Sequence, residues 1–404
     1  MLVLVVALVA GCRLGSAGPT SSPAPVGLQR VVDLLTRAAL AGDLSGYRAQ
    51  LSTADPHFGS TTDMLWGNLR ALRPQDLRIA VSAARVPLSA SRAAVLGPDA
   101  FVAQATVAWQ LPGQRAEATA TVWLTFTGTG GSLRLAGTTD GPAASAPPAG
   151  TPLWWLEPVT MVTGGIPGLS AYALVVATGA ASPRGSTWAG LAAKSVTQAT
   201  RRAVPADLVV LLVPGDVSRF VQVTGEPATV GLAGLTVVTG LDPMTAPSAV
   251  VVNPETAGRL DPDQLGLLLT HESVHAAMRS PSADAPLWIE EGFADAVAFD
   301  AYPRLARANL AELLTEASDN GAPAHPPADD AFAPDAGHLD LSYQLAWSAC
   351  RFIADQRGWS ALESVASQVT ADPRAPWWTT AGQPSAAAFD RAWSAWLTRA
   401  AKAS

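Results

Sequence analysis

The chain has 404 residues, a net charge of -7 and 49% hydrophobic residues, which indicates a folded protein long enough for two domains. Its 26 basic residues form no run and are outnumbered by 33 acidic residues, which argues against a nucleic-acid or anionic-surface partner. Beyond the N-terminus no apolar stretch approaches the roughly 18 residues of a membrane helix, so we expect a soluble body.

The N-terminus has the pattern of an export signal. Residues 2–8 are apolar and lead into Val9-Ala10-Gly11-Cys12, a length that suits a signal peptide better than a membrane span. This tetrapeptide resembles the bacterial lipobox, which implies removal of residues 1–11 and lipidation of Cys12. The segment departs from the signal-peptide pattern in one respect, because no Lys or Arg precedes the apolar run. The alternative for Cys12 is a buried structural cysteine. We expect a lipid anchor in the cell membrane, facing the extracytoplasmic side, with residues 12–27 as a flexible tether.

Residues 28–140 carry helix signals and then strand signals. Apolar residues at helical spacing predict helices over Leu28–Asp43 and about Thr62–Leu72. Period-two alternation then predicts four strands, at Ile79–Val81, Phe101–Trp109, Ala118–Phe126 and Ser132–Leu135. Helices followed by an antiparallel meander predict an accessory α+β domain. In outline it is similar to the cone-shaped fold of cystatin and of nuclear transport factor.

The second half of the chain has a different residue pattern. Pro, Ala and Gly enrich Asp140–Pro152, and we place a linker with a connecting strand at 141–165. Residues 166–404 form the second predicted domain, a small sheet followed by helices. Its predicted strands are Ala173–Ala177, Leu208–Val213, Leu235–Val238 and Ala249–Val252, and its first predicted helices are about Thr187–Ala203 and Asp216–Val223.

Residues 271–275 read His-Glu-Ser-Val-His, two histidines four positions apart. On a helix they share one face, so both imidazoles can bind one Zn²⁺. The N-cap, proline and capping-box signals of Asp261–Gln264 predict that helix. Glu272 then points beside the metal, where it can hold a water without being a ligand. Chance occurrence of the five letters is the alternative.

A second segment, Trp288-Ile289-Glu290-Glu291-Gly292-Phe293-Ala294-Asp295, extends the pattern. Together the two segments resemble the gluzincin metallopeptidases, the group of thermolysin and the zinc aminopeptidases, in which a Glu on a second helix is the third zinc ligand. The aminopeptidase branch has this Glu directly before a Gly, which implies Glu291, with Glu290 as its rival. The resemblance also implies that Asp295 hydrogen-bonds His271, and such a carboxylate fixes the tautomer of the ring. An exposed helix carboxylate is the alternative for Asp295.

The helix opened by Tyr343-Gln344-Leu345-Ala346-Trp347 and closed near Gly358 resembles one of the aminopeptidase branch. There the tyrosine hydroxyl donates to the developing oxyanion, which implies this role for Tyr343. A tyrosine that anchors the core is the alternative. His325 and His338 lie in the preceding Pro- and Ala-rich loop, and either is a candidate for a second donor.

The resemblance covers about residues 170–404 and implies an α+β zinc metallopeptidase that hydrolyses peptide bonds. His271, His275 and Glu291 bind Zn²⁺ in this hypothesis, Glu272 is the general base, and Tyr343 assists at the oxyanion.

Two features favour an endopeptidase over an aminopeptidase. The chain lacks a Gly-x-Met-Glu-Asn segment, which captures the free α-amine in aminopeptidases. We also predict that Ala249–Val252 is an edge strand that aligns an extended peptide substrate. The alternatives from other classes are a degenerate, metal-holding binding module and an envelope interaction module in which the motif is accidental.

Overall fold

The structure is a computed structural model. It describes residues 26–141, 148–165, 172–178, 182–202, 208–226, 232–240, 245–278, 285–333 and 336–403. Cys12, the predicted signal peptide and nearly all of the predicted tether lie outside the described residues. Within these ranges, no helix combines the length and the apolar character needed to cross a membrane.

The first part of the chain forms helices and then an antiparallel sheet of strand order β1-β2-β3-β4. The elements are α1 (Val26–Ala41), α2 (Leu44–Arg48), α3 (Pro56–Leu72), β1 (Asp76–Pro87), α4 (Ala90–Leu96), β2 (Phe101–Gln110), β3 (Ala118–Thr127) and β4 (Arg134–Gly137). Helix α3 begins at Pro56 rather than about Thr62 because Asp55 accepts the His57 N–H as N-cap. The last predicted strand begins later than expected, because Gly130–Ser132 form a 3-10 turn before β4.

One edge of this sheet stays partly open. Strand β4 pairs with β3 only at Thr125–Thr127. The preceding residues of β3, Ala118–Leu124, pair with β2 alone among the described strands. Main-chain groups on this edge can bond to segments outside the sheet, and the Thr119 N–H donates to the Thr239 main-chain oxygen at 3.0 Å.

A second, mixed sheet has the order β5-β6-β7-β9-β8. Its strands and nearby helices are α5 (Leu153–Leu156), β5 (Val159–Gly165), β6 (Tyr172–Thr178), α6 (Ser182–Arg202), β7 (Val209–Val213), α7 (Val217–Thr224), β8 (Gly234–Val238), β9 (Ser248–Val252) and α8 (Pro254–Ala257). The predicted elements are confirmed with shifted ends, the largest shift being at α6.

The prediction that Ala249–Val252 is an edge strand is wrong. These residues lie in β9, which pairs with β7 on one side and β8 on the other. All of β9 is buried, as expected for an internal strand covered on both faces. The edge on this side is β8, whose described pairing is to β9 alone.

From Pro262 onward the described residues form helices joined by loops, with one described 3-10 turn at Asp329–Phe332. The helices are α9 (Pro262–Met278), α10 (Leu287–Ala301), α11 (Pro303–Asn320), α12 (Leu339–Arg357), α13 (Trp359–Ala371), α14 (Trp377–Thr380) and α15 (Ala386–Ala403). Helix α9 packs on β8 and β9 on one side and on α6 and α10 on others. The α+β class is confirmed.

The hydrophobic core connects the two sheets. One buried cluster extends from Leu28 in α1 to Val251 in β9. A second cluster fills the helical C-terminal part and includes Cys350, which is fully buried in α12.

Candidate metal centre

Helix α9 begins where the sequence predicts. Asp261 Oδ1 accepts the main-chain N–H groups of Asp263 and Gln264, each at 2.9 Å, and Gln264 Oε1 accepts the Asp261 N–H at 2.9 Å. This reciprocal capping box satisfies three donors at the helix start. From Leu265 to His275 every residue of α9 is buried, so the motif lies in the interior.

Helix α10 supplies the second half of the site because Gly292 lets it approach α12. A Cβ on Gly292 would lie 2.4 Å from the main-chain oxygen of Ala346 and 2.8 Å from Cys350 Sγ. Only a residue without a side chain fits between the helices at this point. Glu291 therefore faces α9 from a helix whose position is fixed by close packing.

Three ligand atoms converge in this interior. His271 Nε2 lies 2.9 Å from His275 Nε2, and Glu291 Oε2 lies 3.2 Å from the first nitrogen and 3.3 Å from the second. Tetrahedral ligands at 2.0–2.1 Å from a zinc ion are about 3.3–3.4 Å apart. Among the described residues, these three form the group that could hold a metal ion. Glu290, the rival of Glu291, is not part of it.

The protonation of the group also suits a cation. Burial alone lowers the pKa of His271, but hydrogen bonds and charge from Asp295 and Glu291 raise this pKa to about 10. Burial raises the pKa of Glu291, but the charge of His275 and hydrogen bonds from both imidazoles outweigh it and lower the pKa to about 2. The group thus favours positive charge on His271 and negative charge on Glu291, which suits the binding of a cation.

Asp295 orients the first histidine. Its Oδ1 lies 2.9 Å from His271 Nδ1, and its side chain is 3% exposed. The alternative of an exposed helix carboxylate is therefore wrong. The contact assigns the Nδ1 proton to the ring and leaves Nε2 to face His275 and Glu291.

Glu272 lies beside the group and has a partner that the sequence did not reveal. Thr236, in the edge strand β8, places its hydroxyl 2.6 Å from Glu272 Oε2 and 3.0 Å from the Glu272 main-chain oxygen. Oε1 of Glu272 is buried and has no hydrogen-bond partner within the described residues. Burial raises the pKa of Glu272 against the opposing charge of the histidines. The carboxyl is thus held at one oxygen, which leaves the other available for a proton transfer.

Tyr343 borders the site from α12. Its ring centroid lies 6.5 Å from that of His271 and 5.4 Å from that of Phe332. Burial, followed by the charges of Glu291 and Asp295, raises the pKa of Tyr343 well above its ordinary value, so the hydroxyl keeps its proton. Both predicted roles, oxyanion donor and core anchor, fit this position.

The loop histidines are not brought to the site. His325 and His338 are both exposed, and His325 Nδ1 contacts the main-chain oxygen of the next residue at 2.8 Å. The candidate site residues, in contrast, are between 0% and 5% exposed.

In comparisons with known proteins, no family model matches the chain and no curated protein shows significant similarity to it. The geometry of the buried His-His-Glu group therefore carries the functional argument.

Proposed function

We propose that the protein is a zinc endopeptidase of the gluzincin type. The observation that carries the proposal is the position of Glu272, a carboxylate with one oxygen unpaired, next to a His-His-Glu group that it does not join. A closed structural zinc site has four protein ligands and no use for a neighbouring unligated carboxylate.

The side chains have separable tasks in this proposal. A Zn²⁺ held by His271, His275 and Glu291 supplies Lewis acidity, which lowers the pKa of water and polarises a peptide carbonyl. Glu272 takes a proton from the attacking water and passes it to the leaving amine. Tyr343 donates a hydrogen bond to the negative charge that develops on the carbonyl oxygen.

Strand β8 supports the choice of an extended peptide as substrate. Its described pairing is to β9 alone, and its residue Thr236 touches Glu272. A peptide that adds to an open edge through main-chain hydrogen bonds is held in extended form beside the strand. The proposal of substrate alignment, lost for Ala249–Val252, thus moves to Gly234–Thr236, the part of β8 next to Glu272.

We further propose that the N-terminal part is an accessory cup or spacer of the cystatin and nuclear transport factor type, and that the chain is anchored by lipid on Cys12. The anchor is tested by metabolic labelling with an alkyne fatty acid. Label that enters the parent and not Cys12→Ser supports the anchor, and equal labelling contradicts it.

The test of function is cleavage of a peptide library by the zinc-loaded, full-length Cys12→Ser protein. Cleavage that is lost in Glu272→Gln, with zinc still bound, supports the proposal. Glu290→Gln is the matched control, a neighbouring buried carboxylate outside the ligand group, and should keep both zinc and cleavage. Glu291→Gln should lose zinc.

One observation favours a binding module that retains a metal without catalysis. The three metal-binding side chains and Glu272 are all at most 1% exposed, so a substrate reaches them only after a conformational change. Stoichiometric zinc with no cleavage by the parent would replace the peptidase proposal with this one.

A further inference from the structure

A large cavity lies between the two sheets, apart from the candidate metal centre. Its volume is about 550 Å³, and it is bordered by β2 and β3 of the first sheet and by β7, β8 and β9 of the second. None of the candidate metal or catalytic residues lines it. Pockets for small molecules typically enclose about 300–1,000 Å³ and are frequent between domains.

The described part of the lining is uncharged. Three indole rings, of Trp109, Trp123 and Trp154, contribute to the wall together with aliphatic side chains of the second sheet such as Leu212 and Val237. Among its described lining residues there is no Asp, Glu, Lys, Arg or His. Because a charge without a partner is costly to transfer into apolar surroundings, this wall favours an uncharged ligand.

A few polar groups interrupt the apolar wall. They are the amides of Gln104 and Gln114 and the hydroxyls of Thr119, Thr121, Thr151 and Thr239. Some already have protein partners: the hydroxyls of Thr151 and Thr239 donate to main-chain oxygens, and Gln114 Oε1 accepts a main-chain N–H. Sites of this composition, mainly apolar with a small number of hydrogen-bonding groups, bind molecules with an apolar body and a few polar atoms.

The cavity lies where two sheet edges meet. Thr119, on the open edge of β3, donates its main-chain N–H to the main-chain oxygen of Thr239, at the end of the edge strand β8, at 3.0 Å. Residues 118–121 of one edge and 237–240 of the other both line the cavity. The two sheets are thus joined at this hydrogen bond and leave a space beside it.

We propose that this cavity binds an uncharged small molecule with an apolar body and one or a few ester, amide or hydroxyl groups. The inference does not depend on peptidase activity. Its occupant would contact Val237 and Val238, on the same strand whose Thr236 contacts Glu272.

The test uses Nile red, a neutral apolar dye, with the full-length Cys12→Ser protein. We expect one dye per chain with blue-shifted emission and energy transfer from tryptophan. Thr121→Trp places a large ring in the cavity and should weaken binding by at least about tenfold, because a close-packed space excludes the dye. The matched control is Thr127→Trp. Thr127 lies six residues further along β3 and is also half-buried, but it does not line the cavity. At about 3.3 Å per residue it is roughly 20 Å from Thr121.

A second variant and a pair of competitors make the result decisive. Val238→Trp fills the cavity from the opposite wall and should also weaken binding, and circular dichroism establishes that each variant is folded. Methyl decanoate should displace the dye at roughly tenfold lower concentration than decanoate at pH 8, because only the latter carries a charge. Equal binding by folded Thr121→Trp and Thr127→Trp, no saturable dye binding, or stronger competition by decanoate would each overturn the proposal.

Discussion

The hydroxyl of Thr236 lies 2.6 Å from Oε2 of Glu272, and this contact joins the edge strand β8 to helix α9. Both side chains are almost completely buried, at 1% and 0% exposure. A short hydrogen bond in such surroundings fixes the carboxyl at one oxygen and aims the other. Thr236 is therefore a positioning residue for the proposed general base.

We predict that Thr236→Val lowers kcat with little change in KM or zinc content. A hydrogen bond to a charged group contributes about 1.5–3 kcal/mol, which corresponds to roughly a tenfold to hundredfold loss of rate. Thr236→Ser keeps the hydroxyl and should recover most of the activity. A loss of zinc in the Val variant, or equal defects in Val and Ser, would show a structural role instead.

Zinc binding should release at least one proton at pH 7.5. His271 has a pKa of about 10 in the metal-free protein, because Asp295 and Glu291 outweigh the effect of burial, and an imidazole binds a metal only when its ligand nitrogen is unprotonated. Calorimetry in phosphate and in Tris measures this release as a difference in apparent enthalpy. Identical enthalpies after correction for buffer–metal binding would contradict the prediction.

The stability of the metal-free protein should fall at both ends of the pH range. The pKa of His271 is raised from 6.5 to about 10, so its contribution is complete below pH 6.5 and is lost as pH rises toward 10. The pKa of Glu291 is lowered from 4.5 to about 2, so its contribution is present above pH 4.5 and is lost as pH falls toward 2. Urea unfolding in EDTA at pH 5.5, 7.5 and 9.5 should show the alkaline loss, and a constant free energy of unfolding would contradict it.

Gly292→Ala should destabilise the protein and disturb the ligand group. The new Cβ would lie 2.4 Å from the main-chain oxygen of Ala346, and overpacking of this kind costs about 1–3 kcal/mol. Gly190→Ala is the control, because Gly190 lies exposed in α6 with no atom within 4 Å of an added Cβ. Replacing an exposed Gly by Ala inside a helix stabilises the helix by up to about 1 kcal/mol. Equal melting temperatures for the two variants would refute the packing argument.

Phe332→Ala should open the buried site. The Phe332 ring stands perpendicular to that of Tyr343, at 89° and 5.4 Å between centroids, and the turn that carries it is tied to α10 by the Leu287 N–H, which donates to Asp329 at 3.0 Å. We expect faster removal of zinc by a chelator, because this buried ring packs on Tyr343, which borders the site.

The control for Phe332→Ala is Phe299→Ala, which removes an equally buried ring that packs on Trp347. Both variants lose core packing, at a cost of about 3–5 kcal/mol. Only Phe332→Ala should strongly increase the rate at which the chelator removes zinc. Similar acceleration in both would indicate general loosening rather than the opening of a local cover.

The local residue pattern was enough to predict helix α9, which carries His271 and His275. The capping box of Asp261 and Gln264 fixes where α9 begins, and the helical repeat then places His271 and His275 on one face. The pattern of Glu291 and Asp295 four residues apart on α10 follows from the same periodicity. These interactions span only a few residues, so the sequence determines them.

Strand order depends on pairing between distant segments, which the residues of one strand do not specify. Ala249–Val252 was expected at a sheet edge but lies inside the sheet. Its unbroken apolar run was a usable signal, because internal strands that are covered on both faces lack alternation. The pattern does not reveal which strand then occupies the edge.

Sequence alone determined the type and spacing of the candidate metal ligands, because helix periodicity is a local property of the chain. Only the tertiary structure decided that Thr236 meets Glu272 across 36 positions of sequence, that Gly292 brings α10 against α12, and that two sheets leave a cavity between them. Each of these results from the packing of elements that are far apart in the chain, and side-chain volume and strand pairing in three dimensions fix them.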